Sequence, residues 1–372
     1  MTHYISVKPE VLQWAIRYSD LSEDAIYTRF PWVSNEPAQT TFIKLQNFAQ
    51  TLRVPFSSLL LGKIPEEEPL PIPDCRTVTD RELSEPSLNL REIIHIMSVR
   101  QEWMHNYLLS EGAEPLPFVG SLKLITDPLE ATKRILQDLN LKEGWTQSFA
   151  NWEKAYEHLR DVVEEAGVLL FQESGLDTTA RKRFNPEEFR GFVMSDTYAP
   201  LIFINSADAR NARMFTLAHE IAHLWSGTEG VFDFAKEDFA NHVAAELLVP
   251  EELFRKAWDT NSDIGHLSHV FKVSTIVIAR RAWDCGLIPS DEFWAFFRSQ
   301  QKKFETNQKK QKGNPTYYNT RKSNLSMNFV MSVIASAQSG KTLYRDACNL
   351  VGMHGKTFEE FANRCMPGMR IS

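Results

Sequence analysis

The sequence predicts an α+β chain that is mostly α, with a small sheet beside a metal-binding helix and helical regions before and after. Three observations predict it. Short β-type runs occur only between residues 168 and 204. Elsewhere apolar residues recur at helical spacing. One strongly apolar helix carries the pattern His219-Glu220-Ile221-Ala222-His223, an HExxH motif.

Composition sets the outer bounds. A length of 372 residues predicts two or three domains. With 43% hydrophobic and 24% charged residues, the chain has the balance of a folded globular protein. A net charge of −7 argues against coating nucleic acid through bulk charge. No run approaches the roughly 20 apolar residues of a membrane span, and MTHYISVKPEVLQW lacks the pattern of a secretory signal. Cys75, Cys285, Cys348 and Cys365 form no CxxC pair, so a reducing cytoplasm is the expected setting and no membrane partner is expected.

Four regions follow from the pattern. Residues 1–64 read as short helices: one opened by Pro9, with Val11, Leu12, Ala15 and Ile16 inward; one capped by Ser22; one from Thr40 or Thr41; and a last one ending at Gly62. Residues 65–145 open within a linker stiffened by prolines, KIPEEEPLPIPDCRT from Lys63, and continue as a mostly helical segment. Residues 146–290 hold a helix from Phe149 to Glu165, strands at Val168–Phe171, Phe189–Met194 and Leu201–Ile204, and helices over 207–225 and 235–248. Residues 291–372 read as a C-terminal helical region with a basic linker.

The chemistry concentrates in 146–290. His219 and His223, one turn apart, point the same way, and Glu220 lies beside them as the candidate base for an attacking water. Met214, Phe215, Leu217, Ala218, Ile221, Ala222, Leu224 and Trp225 surround a single polar stripe of Thr216, His219, Glu220 and His223. Buried polar groups without partners cost about 1–3 kcal/mol each, and a metal ion supplies a partner. Glu237, 14 residues after His223 at the start of the next helix, is the expected third ligand. Asn241 shares its face and is expected to orient a ligand. Glu246 is the rival, but at about 100° per residue it points away from Glu237 and groups with Asp238 and His242 on a stripe read as solvated. Two imidazoles, one carboxylate and an open position suit catalytic zinc. The strand Leu201, Ile202, Phe203, Ile204, preceded by Pro200, is expected to be a sheet edge that holds an extended peptide substrate. Tyr198 and His242 are candidates for stabilising an oxyanion.

The stretches EFRGF, LIFIN, RMFTLAHEIAHLWSG and EDFANHVAAELLVP resemble the ImmA/IrrE family of zinc metallopeptidases, most strongly over about 146–290. The resemblance implies a zincin-like fold, His219, His223 and Glu237 as zinc ligands, and Glu220 as general base. It also implies an N-terminal Xre-like helix-turn-helix region and a substrate among Xre-type transcriptional repressors. Here the chain departs from the pattern. Only PWVSNEPAQ separates Phe30 from the Thr40/Thr41 helix, and Pro31 and Pro37 break the place of a recognition helix. Two functional readings follow. One is a zinc endopeptidase cleaving a regulatory protein encoded nearby. The other is a non-proteolytic regulator or antitoxin-like component of a two-gene module, toxin–antitoxin or stress-response, with DNA contacts.

Three further signals are weaker. Residues 266–288, with Arg280 and Arg281, have helix-turn-helix spacing but read better as a helical extension packing on the domain. The basic run over 298–322 reads as a solvated linker. Ser339-Gly340-Lys341-Thr342 lacks the first glycine of a P-loop, which excludes that reading.

Overall fold

A computed structural model describes residues 4–65, 86–176, 183–209, 212–227, 234–307, 322–353 and 355–365. The proline-rich linker beyond Pro65, Cys75 and most of the basic run lie outside the described residues. Two compact units divide the chain, the first holding 4–65 and 86–94, the second the described residues from His95 onward.

In the first unit, β1 (Tyr4–Ser6) pairs antiparallel with β2 (Gln39–Thr41). Four helices follow the sequence signals: α1 (Pro9–Tyr18), α2 (Glu23–Arg29), α3 (Phe42–Leu52) and α4 (Phe56–Leu61). Ser22 Oγ accepts the Ala25 N–H as the N-cap of α2, and Gly62 closes α4 in the left-handed region. Phe48 is fully buried and meets Phe30 and Trp32 edge-on. Between α2 and α3 the chain forms a 3₁₀ turn, Pro31–Ser34, and β2. No α-helix stands where a recognition helix would.

The second unit takes in most of α5 (Leu88–Ser110), then α6 (Pro128–Asp138) and α7 (Trp152–Glu165). Asn151 caps α7 by accepting the Lys154 N–H, which starts that helix three residues later than its apolar pattern suggests. Residues 111–127, expected to be helical, form an irregular segment closing over the end of α8 (Arg213–Ser226). Phe118 stacks on the fully buried Trp225 with ring centroids 4.2 Å apart, and the Leu122 N–H donates to Trp225 O.

The sheet has the order β3 (Leu169–Glu173), β5 (Leu201–Asn205), β4 (Gly191–Met194). β5 runs parallel to β3 and antiparallel to β4. Leu201–Ile204 is therefore the central strand, not the expected edge. All five of its residues are buried, because both faces of the sheet are covered. Leu170, Ile202 and Ile204 join the core shared with α8. On the other face Phe203 stacks on Phe192, and Phe171 meets Phe329 of the C-terminal helix Met327–Gln338.

α8 starts at Arg213, later than expected. Asn205 Oδ1 accepts the Ala207 N–H, and Arg213 donates to Ser206 O, which holds residues 206–208 in a turn. After it come α9 (Phe234–Leu248), α10 (Glu251–Thr260), α11 (Ile264–Phe271), α12 (Thr275–Asp284) and α13 (Ser290–Asn307). Leu267, Phe271, Ile278, Ala279 and Ala282 belong to the same buried cluster as the sheet, so 266–288 packs as an extension of the domain. That cluster runs from Phe118 to Phe293. No described helix is long and apolar enough to cross a membrane.

Candidate metal centre

α8 is buried on nearly every side. Its small residues Ala218 and Ala222 and those of α9, Ala240 and Ala244, are almost fully buried in one core cluster, which permits close packing of the two helices. Three polar side chains meet across them. His219 Nε2 and His223 Nε2 lie 2.9 Å apart. Glu237 Oε2 is 3.2 Å from His219 Nε2, and Glu237 Oε1 is 3.3 Å from His223 Nε2. Tetrahedral zinc, with bonds of about 2.0–2.1 Å, spaces its ligand atoms about 3.3 Å apart, so the donor set fits the ion in both chemistry and spacing. Among the described residues this is the one group of three metal-capable side chains.

The charges at the site are mutually adjusted. Burial opposes ionisation of Glu237, but hydrogen bonds from His219 and His223 prevail and hold its carboxyl well below the usual carboxylate range. Burial works against a charged His219, while its hydrogen bond to Glu237 and the Glu220 charge raise it above an ordinary imidazole. The Asn241 side chain adds a smaller push in the same direction. Glu220 is 7% exposed, and burial raises its pKa against the opposing pull of His219 and His223.

Two placements differ from the sequence reading. Glu246 is not on a solvated stripe: it forms a buried ion pair with Arg281 of α12 and accepts the Glu251 N–H. Its supposed neighbours Asp238 and His242 do face solvent, their side chains 66% and 39% exposed. The strand beside the centre is also a different one. β4 is an edge, and its Gly191 lies against Glu220, where an added Cβ would come 2.8 Å from Oε1. The Asn205 N–H donates to Arg190 O, so in this antiparallel ladder Gly191 and Val193 direct their own N–H and C=O groups away from β5. A glycine inside a strand pattern is the sequence signal that marks such a close approach. Of the two oxyanion candidates, His242 is the solvent-facing side chain just described, and Tyr198 sets its ring edge-on against His105.

Residues 163–282 match the family model described as the IrrE N-terminal-like domain, Peptidase_M78. This segment is similar to the IrrE N-terminal-like family. The Peptidase_M78 segment contains the whole sheet, α8 and α9, hence every side chain of the centre. Residues 325–364 match a second family model, a domain of unknown function, DUF8813. No curated protein matches the chain. Among solved structures, a Mycobacterium tuberculosis transcriptional regulator is similar at 16% identity and a TM-score of 0.27. That match covers 49% of this chain and 51% of the other, so the chain spans about half the length of the regulator.

Proposed function

We propose that the chain is a zinc-dependent endopeptidase acting on a regulatory protein. One observation carries the reading: three ligand atoms at coordination spacing, with the buried Glu220 carboxyl beside them. His219, His223 and Glu237 would hold the ion. Zinc held there would supply Lewis-acid chemistry, lowering the pKa of a water to about 7 and polarising a carbonyl.

The remaining steps fall to the chain's own residues. Glu220 accepts the proton of the attacking water on its carboxylate and delivers it to the leaving amine. Burial lifts its pKa toward the working pH, which matches a group that must take and return a proton. The substrate lies extended along the outer edge of β4, paired with the backbone groups that Gly191 and Val193 direct away from β5. The ImmA/IrrE resemblance makes an Xre-type repressor the first substrate to test.

Co-expression with each adjacent gene product, read by intact mass, tests this. Wild type is expected to yield two fragments whose masses sum to the partner plus one water. Glu220→Gln is expected to slow cleavage about 10²–10⁴-fold while keeping its zinc. A partner that binds and stays whole with wild type would favour the non-proteolytic regulator instead.

A further inference from the structure

We propose that Gly191 is a positioning residue for Glu220: the side chain it lacks leaves the gap on β4 in which the carboxylate lies, and so fixes the point on the edge strand where a bound peptide is cut. The inference rests on the peptidase reading above, but its steric core does not.

The backbone of Gly191 is not in the left-handed region, so conformation does not demand a glycine there. Space does. A Cβ at this position would fall 2.8 Å from Glu220 Oε1 and 3.1 Å from its Cγ, both inside ordinary contact. It would also come 2.9 Å from the carbonyl oxygen of Phe203 on β5. Glu220 has little room to yield, since it is 7% exposed and its helix neighbours Ile221 and Ala222 are fully buried.

The notch is one residue wide. Side chains alternate along a strand, so Gly191 and Val193 share one face of β4, and Val193 packs against the core there. Phe192 and Met194 are buried on the opposite face. Gly191 therefore interrupts the row facing α8 at the level of the Glu220 carboxylate. The outward N–H and C=O of Gly191 flank that same point. A peptide paired to this edge presents the bond opposite Gly191 to Glu220, and its next backbone contact falls at Val193.

A double-mutant cycle on the full chain tests the claim by thermal melting. Gly191→Ala is expected to lower Tm clearly when Glu220 is present. In a Glu220→Ala background the share of that loss owed to the carboxylate is expected to vanish, while the share owed to the Phe203 carbonyl remains, so the loss is smaller than in wild type. If Gly191→Ala folds only in the Glu220→Ala background, the same conclusion holds in stronger form. An equal loss in both backgrounds, or failure to fold in both, assigns the clash to the Phe203 carbonyl and overturns the proposal. Zinc content is the second readout. Gly191→Ala is expected to keep the wild-type stoichiometry, and loss of zinc would mean that Gly191 supports the whole centre rather than the base. With a cleaved substrate, kcat is expected to fall about 100-fold at unchanged KM. A wild-type chain that cuts nothing would refute the peptidase reading and leave the melting cycle to decide the steric claim.

Discussion

Zinc is expected to raise the melting temperature of the wild-type chain and to leave His223→Ala unmoved. An ion that binds only the folded state stabilises it by RT ln(1 + [L]/Kd), about 4 kcal/mol at a thousandfold excess over Kd. The effect needs all three donors. His223 Nε2 stands 2.9 Å from His219 Nε2 and 3.3 Å from Glu237 Oε1, so its removal takes away a corner of the cluster. A histidine and a carboxylate remain, too few for a tight site. Binding must also displace protons from the imidazoles, so the zinc-induced shift is expected to shrink as pH falls. Scanning calorimetry with and without a chelator reads both effects. An equal shift in His223→Ala would place the stabilising metal elsewhere.

Glu246→Ala is expected to destabilise the protein by about 3–5 kcal/mol, since it leaves a buried guanidinium without its counter-charge. The side chain of Arg281 is 5% exposed and that of Glu246 12%. The pair ties α9 to α12, and Glu246 also holds the Glu251 N–H at the start of α10. Removing both charges together, as Glu246→Leu with Arg281→Met, is expected to cost much less than the single change, because no charge is then stranded. Urea unfolding measures all three chains. A loss below about 1 kcal/mol for Glu246→Ala would mean that Arg281 finds water in its place.

The parts of the centre legible in the sequence were those set by helix periodicity. His219 and His223 at i and i+4 share a face whatever the surroundings, and Glu237 and Asn241 stand in the same relation on the next helix. Phase also placed Glu246 opposite Glu237 correctly. It could not supply what Glu246 meets there, because Arg281 lies 35 residues further along the chain. The edge assignment of Leu201–Ile204 failed for a related reason. Pro200 suggested an exposed margin, yet four consecutive apolar residues are the mark of a strand covered on both faces, and strand order is a long-range property. The pairing of β1 with β2 left no trace, since three-residue strands are too short to show alternation. Residues 111–127 have no helical period, and their packing on Trp225 depends on tertiary contact alone.

The most direct measurement is X-ray absorption at the zinc edge of the zinc-loaded full chain. The expected spectrum is a four-coordinate site with two imidazole nitrogens at about 2.0–2.1 Å and the remaining ligands oxygen, one of them lost from the protein side in Glu237→Ala. A zinc–sulfur distance near 2.3 Å, or an oxygen shell without imidazole, would contradict it.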